Sequence, residues 1–593
     1  MNNLIKTIRY SLLITAIIFS TARCKDSYLE LKDPNSISEA NFPTTLNQVN
    51  LLIASVYGVQ HHWGFYGQNW LGYGIYCLDH TIDLQWRGDD SWIGICTGLA
   101  QSTDTKLQNQ WKALNRGIYY ANSALEGINK YRAIAPSSEK EEIDHYEGEA
   151  IFLRGFYLWH LLSFYGQPNL DGMGVPVITT VPKSIEEMSV PRASTKDTYQ
   201  AIINDFKKAA SLLKGQTDNH RATEWSAKAA LAKTYLFADK KDSAKIYLED
   251  CINNSGKSLV SFNAYKMMFN GNKQYEYNSE SFYEIGNLAD PVNGNSYGSP
   301  MTGTTTSMLY AQFYIAADGS RSATSYSNEY MHDRNLTRFG YNDAPPLTQL
   351  ETNGTNWNLK QSYIDQQKER REQAGKQVDG PDPRLWVCAL QPFFDSVKVS
   401  NVYYKVAQAE FGKWYEMAPA TLNNPNTFYG WPTRKYQYLD GKLIETRNVA
   451  GYNFYFIRLP DIYLMYAEIL KSSNPTLALE YINKVHRRAY GYDPNTPSPV
   501  DYVSLTDRTK APVDDHLAND PLLYERWAEF FGEARWWEDV RRLKMGPQEA
   551  TFYKEVAGGK GKITWRNEHY AMPIPSIEFE SNTDPGMKQN PGY

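Results

Sequence analysis

The sequence predicts an all-α protein: a scaffold of helix-turn-helix pairs with long irregular loops and minor β hairpins. Three observations lead there. Apolar residues recur at helical spacing through residues 105–253 and again through 455–545. Alanine-rich stretches sit in both regions, where small side chains let helices approach closely. Residues 254–450, like 58–104 before them, lose the period and fill with Gly, Asn, Tyr, Ser and Pro.

The elements follow in order. Ile143, Tyr146, Ala150, Leu153, Tyr157 and Leu161 fall at spacings of three and four, one face of a long helix that Gly166 and Pro168 end. Tyr199, Ile202, Phe206, Ala209 and Leu213 repeat the pattern. Ala230 and Tyr235 lie in an alanine-rich helix, and after a break at Ala238-Asp-Lys-Lys-Asp242 the period resumes with Ala244, Tyr247, Leu248 and Cys251. Ala478, Tyr481, Ile482, Val485 and Ala489 give an equivalent helix near the C-terminus. Alternating pairs of this length resemble tetratricopeptide units, although the strict signature of roughly 34 residues is not met. Between the helical regions Ser281–Ile285 reads as a strand. A stretch this long with so little regular structure is usually functional.

Composition narrows the partners. A net charge of −5 on 593 residues is too small to suggest a polyanion, so no nucleic acid is expected. Aromatic residues make up 14%, with 44 Tyr and 15 Trp, and their flat apolar faces beside polar edges suit sugars as well as cores. The five cysteines, at 24, 77, 96, 251 and 388, form no CxxC pair and no zinc spacing, so no metal and no cofactor is expected. Whether Cys77 and Cys96 pair is left open by sequence.

Residues 1–23 read as an export signal, because Lys6 and Arg9 precede an apolar stretch at 12–19 that is too short to span a membrane. Ser20-Thr-Ala-Arg-Cys24 resembles a bacterial lipobox, in which the chain is cut before a cysteine that is then lipidated; Arg23 departs from the small residue usual there. Lys25-Asp26 resembles the charged export signal of surface lipoproteins. No later run reaches the roughly 18 apolar residues of a spanning helix.

Several segments together resemble the SusD/RagB family of outer-membrane nutrient-binding lipoproteins. They are Glu149-Ala-Ile-Phe-Leu-Arg-Gly-Phe-Tyr157 with Phe164-Tyr-Gly-Gln-Pro168, Arg458-Leu-Pro-Asp-Ile-Tyr-Leu-Met-Tyr-Ala-Glu468, and Ala478-Leu-Glu-Tyr-Ile-Asn-Lys-Val-His-Arg-Arg488. Glu525-Arg-Trp-Ala-Glu-Phe530 with Arg535-Trp-Trp-Glu-Asp539, and the ending Met572-Pro-Ile-Pro575 to Gln589-Asn-Pro-Gly-Tyr593, extend the likeness. The resemblance implies four helix-turn-helix pairs held against a TonB-dependent transporter of the SusC type. It implies one domain over residues 24–593: scaffold at 40–253 and 455–545, a ligand-binding insertion at 254–450, and a C-terminal segment at 546–593. It further implies an oligosaccharide ligand and lipid anchoring at Cys24 on the outer membrane, facing outward. No catalysis is implied. Peptide uptake is the alternative within the same family, and glycoside hydrolysis a distant third. The signature charges Glu149, Arg154, Asp461, Glu468, Arg526 and Glu529 are expected to hold helices together.

Recognition is then expected on the loops. The first candidate is Asp83-Leu-Gln-Trp-Arg-Gly-Asp-Asp-Ser-Trp92, in which Trp86 and Trp92 would stack on sugar faces while Arg87, Asp83, Asp89 and Asp90 bond hydroxyls. The second, placed by the resemblance, holds Asn287, Asn293, Asn295, Tyr297 and Trp357. Gly294-Asn-Ser-Tyr-Gly298 matches the G-x-S-x-G of hydrolases but lacks the strand before and helix after that make Ser296 a nucleophile. Asp83 with Asp89 or Asp90 is the only carboxylate pair proposed for glycoside hydrolysis.

Overall fold

Where the helical period runs, the chain forms helices that pack on one another in chain order. The computed structural model describes residues 42–68, 81–83, 95, 98–289, 302–307, 313–316, 321–323, 329–331, 333–341, 350–353, 356–374, 380–392, 394–406, 409–410, 429–439, 449–507, 517, 519–552 and 564–593. Four helix pairs stand out among them: α1 (Leu46–Gly58) with α2 (Thr105–Arg132), α3 (Lys140–Tyr165) with α4 (Thr195–Leu212), α5 (Glu224–Phe237) with α6 (Lys241–Asn254), and α7 (Leu459–Leu470) with α8 (Pro475–Ala489). Each helix contacts the next, and α6 contacts α7 although residues 255–458 separate them in sequence. The all-α, tetratricopeptide-like scaffold is therefore continuous in space where it is interrupted in the chain.

Local chemistry sets the helix starts. The Thr45 and Ser194 side chains accept from the backbone N–H of Gln48 and Asp197, capping α1 and α4. Thr223 and Ser226 form a reciprocal capping box on α5, and Asn474 followed by Pro475 opens α8. Between α5 and α6 the chain turns through Asp239 at a positive φ of 55°.

The six residues placed on one face of α3 are all buried, but so is nearly everything opposite them. From Gly148 to Tyr165 only Arg154 escapes full burial. The reason is position. α3 is flanked by α2 and α4 and is met on a further side by the rings of Tyr283 and Phe456, 5.8 and 4.9 Å from Phe156. A helix enclosed all round does not need an apolar stripe. Gly117 of α2 makes the tight approach possible, since a Cβ there would lie 2.5 Å from the Tyr157 ring. Tryptophans follow the same rule: Trp111, Trp159, Trp431, Trp527, Trp536 and Trp537 are buried, so much of the aromatic content serves the core.

The predicted strand β2 (Ser281–Ile285) pairs antiparallel with β12 (Phe454–Arg458), and both are buried throughout. That ribbon delivers the chain into α7, with Leu459 N–H donating to the Glu280 carbonyl at 2.7 Å. The other strands are short. β3 (Phe313–Ile315) pairs with β4 (Arg321–Ala323), β6 (Leu350–Asn353) with β7 (Asn356–Leu359), and β8 (Ser396–Val399) with β9 (Val402–Lys405). The β8–β9 turn places Ser400 and Asn401 at φ of 49° and 66°, the hairpin geometry that matches strand twist. A four-stranded sheet in the order β1 (Thr81–Asp83), β5 (Glu329–Met331), β11 (Tyr429–Pro432), β10 (Ala409–Glu410) ties the first irregular region to the second.

Behind β12 and α7 lies a buried ionic cluster built with α9 (Pro521–Phe530) and α10 (Trp536–Arg542). Arg458 donates to Glu533 at 3.0 and 2.7 Å, to Glu529 at 2.9 Å and to Glu280 at 3.2 Å. Arg488 bonds Glu280 and Glu529, Lys435 bonds Glu533, and Arg384 bonds both Asp382 and Glu525. The remaining signature charges are paired too: Arg154 with Asp205, Glu149 with Arg221, Glu468 with Arg542, Arg526 with Asp539, and Asp461 with Arg535. The C-terminal segment returns to the end of α3, where Asn590 Nδ2 donates to the carbonyls of Tyr165 and Met572. No helix among the described residues is long and apolar enough to cross a membrane.

Candidate binding cleft

A cleft of about 750 Å³ opens where the first irregular region leaves α1 and the second begins after β2. That volume falls within the range of ligand pockets. One wall is Gly58, Gln60 and His61; another is the loop 218–221 that precedes α5; the floor is formed by Glu276, Glu284, Asn287 and Asn453.

The floor is a hydrogen-bonded polar lattice in which Glu276 Oε1, Glu284 Oε1 and Asn287 Oδ1 are buried without a hydrogen-bond partner among the described residues. Lys273 Nζ donates to Glu276 Oε2 at 2.7 Å and to the carbonyls of Asn287 and Gly451 at 2.9 and 2.6 Å, so an ammonium holds three oxygens together. Asn453 Nδ2 donates to Glu284 Oε2 at 2.9 Å, while its Oδ1 accepts from Asn287 N–H. Burial raises the Glu284 carboxyl to about 7, against which Asn453 pulls down. Burial lowers His61 to about 4, so the ring is neutral near pH 7. Its Nε2 lies 2.8 Å from the Gly286 carbonyl and carries the proton it donates there.

The wall is aromatic and charged. The exposed His220 ring packs on Tyr277 with centroids 4.3 Å apart, and His220 Nδ1 lies 3.0 Å from Asp218. Tyr277 holds φ of 49°, unusual for a bulky residue, and its hydroxyl occupies the place a side chain at Gly286 would take, 2.2 Å from a built Cβ. Arg221 bridges Glu149 and Asn50 and lies over the Tyr57 and Tyr146 rings. A ring ledge beside hydroxyl, imidazole and amide groups can stack on a sugar face and bond its hydroxyls.

Of the sequence-predicted residues, Asn287 lines this cleft, but its Nδ2 is committed to the Tyr452 carbonyl at 2.9 Å. Asp83 ends β1 opposite Glu329 of β5, and Trp357 lies in β7 opposite Thr352. Trp86, Arg87, Asp89, Asp90, Trp92, Asn293, Asn295, Ser296 and Tyr297 lie outside the described residues, as do Cys24, Cys77 and Cys96. Sequence reasoning missed His61, His220, Tyr277 and Lys273. The polar run 216–221 ahead of a capping threonine was a signal for a loop, not for a site.

Paired helices presenting a cleft walled by irregular segments define a helical-repeat scaffold with a polar binding cavity. Residues 262–593 match the SusD family, and residues 27–236 match a family described as starch-binding, associating with outer membrane. The chain belongs to the SusD family. A SusD-like protein of Formosa agariphila is 23% identical over 581 residues, covering 95% of each chain. Among solved structures, a SusD-like protein from Bacteroides fragilis superposes with a TM-score of 0.64 at 18% identity, over 94% of this chain and 99% of that one. Surface glycan-binding protein A from Bacteroides fluxus gives 0.61 at 17% identity, over 93% and 100%. A laminarin-binding SusD-like protein gives 0.57 at 19%, over 92% and 99%.

Proposed function

We propose that the protein binds oligosaccharides at the outer membrane and delivers them unaltered to a SusC-type TonB-dependent transporter. The family match over residues 262–593 carries this reading, and similar folds include proteins named for glycan and laminarin binding. Cys24 bears the lipid that anchors the chain facing outward, after removal of residues 1–23, and residues 24–593 act as one unit. On this reading the protein performs no catalytic step; Glu276 and Glu284 accept hydrogen bonds from Lys273 and Asn453 in the cleft floor, which supports a structural part for them.

Ligand contact falls to the loop of Trp86 and Trp92, with Arg87, Asp83, Asp89 and Asp90 as hydroxyl partners and Asn295, Tyr297 and Trp357 from the insertion. The sheet supports this, since β1 precedes that loop in sequence and is paired with β5 of the second irregular region. Isothermal titration of the intact protein against a panel of oligosaccharides and oligopeptides tests it. Trp86→Ala or Trp92→Ala is expected to weaken glycan binding by about 1 kcal/mol or more without a change in thermal unfolding. Unaltered affinity in both variants retires this loop, and binding of oligopeptides alone turns the reading to peptide uptake.

A further inference from the structure

A second cleft of about 410 Å³ lies among elements that contribute nothing to the first. Its walls are the rings of Phe262, Trp386, Tyr490 and Tyr492, and two cations, Lys266 and Arg371, look onto it. Trp386 and Tyr490 are buried but for an edge, as rings at the base of a binding hollow are.

The charges around this hollow do not balance. Asp395 is the nearby half-buried carboxylate, and it is engaged: Arg371 grips it through two bonds of 2.9 and 2.8 Å, and Gln391 N–H donates to it at 2.6 Å. Arg371 is stacked over Phe394 at 3.9 Å and is thereby fixed. Lys266 has no hydrogen bond or ion pair among the described residues, and burial, with Arg434 and Arg371 nearby, brings its ammonium down to about 8. Arg434 likewise has no ion pair among the described residues, and its Nε is buried without a hydrogen-bond partner. Glu372 sits exposed at the rim, where water screens it. Two half-buried cations without partners, beside apolar rings, leave the site short of an anion.

We infer that this cleft is a subsite for an acidic saccharide unit, a pyranose bearing a carboxylate or a sulfate. The acid group pairs with Lys266 and takes up the excess charge of Arg434, while the ring lies against Trp386, Tyr490 and Tyr492. Demand for an anion follows from the geometry alone; the choice of a sugar as its carrier rests on the glycan-capture reading.

The test is ligand-observed NMR titration of the intact protein with glucuronate, glucose 6-sulfate, neutral glucose, and a dipeptide with a free C-terminal carboxylate. Acidic sugars are expected to bind at least about tenfold more tightly than glucose, the scale of one charge-assisted hydrogen bond. Lys266→Met should remove that preference, and Lys266→Arg should keep it. The ratio of acidic to neutral sugar affinity reports on this subsite, whereas overall glycan affinity in the Trp86 and Trp92 variants reports on the loop proposed above, so each can fail without the other. Equal binding of glucose and glucuronate, or an acid preference that survives Lys266→Met with thermal unfolding unaltered, overturns the inference. Tight binding of the dipeptide with none of the acidic sugars overturns it in favour of a peptide carboxylate.

Discussion

The helices α2 to α6 and the segment from β12 to α10 each hold buried carboxylates, yet these respond to burial in opposite ways. Glu149 of α3 faces one cation, Arg221 at 3.3 Å, and burial prevails, raising its carboxyl to about 7. Glu525 of α9 suffers the same burial, but Arg384 and His486 outweigh it and hold it down at about 2. Asp461 is brought to about 2 in the same way, chiefly by Arg535 and Lys233. The difference teaches how each region is held. The repeat helices adhere through apolar side chains at helical spacing, and their charges are guests. Around β12 the chain folds segments from residues 280, 382–384, 435, 458, 488 and 525–533 onto one ionic cluster, and the charges themselves specify which segments meet.

The sharpest way to break that comparison is to remove a single cation from the cluster. Arg458→Met leaves Glu280, Glu529 and Glu533 short of their shared partner in an environment from which water is excluded. Removing one member of a buried ionic group costs more than the group as a whole contributes, about 3–5 kcal/mol. Denaturant unfolding of the variant should show a loss of that size, and a loss below about 1 kcal/mol would mean that the carboxylates find other partners or water.

In the repeat region the corresponding experiment is a cavity. Leu153 lies fully buried on α3, and Leu153→Ala removes apolar contact without exposing any charge. A loss of about 3 kcal/mol is expected, within the range for such truncations. The two variants should also differ in kind. The cost of Leu153→Ala should be nearly the same at low and high salt or at pH 5 and 8, whereas that of Arg458→Met should shrink toward acid pH as the stranded carboxylates protonate.

Legibility in the sequence follows the same division. The helices were visible because apolar periodicity is local, and β2 was visible because Ser281–Ile285 is a brief run carrying the aromatic and β-branched residues that strands favour. All-round burial of α3 was not visible, since periodicity reports one face and cannot announce a second neighbour. Signature charges such as Asp461 and Glu529 could be recognised as paired in general, but their actual partners, Arg535 and Arg458, lie far off in the chain. The first cleft was half legible: Asn287 was singled out, while His220 and Tyr277, 57 positions apart, meet only because Tyr277 adopts a left-handed conformation over Gly286. Lys266 and Arg434 are further apart still, and nothing local connects them.

The finest distinction between the two regions is drawn by pH. Glu149 has a folded-state pKa of about 7, above the value near 4.5 of an exposed glutamate. A raised carboxyl stabilises the fold below its unfolded pKa, and that contribution is lost as pH rises through the folded value. Between pH 6 and 8 the folded state must release a proton that the unfolded state has already lost, so stability should fall by about 1 kcal/mol from this group. Glu284, also raised to about 7, adds a fall of its own over the same interval. Glu149→Gln isolates the first share: the variant should unfold with a shallower dependence between pH 6 and 8 than the parent. Glu525 and Asp461 remain ionised across that window and contribute no slope there, so a pH dependence unaltered by Glu149→Gln would show that Arg221 already keeps the carboxylate charged, and the contrast between the regions would disappear.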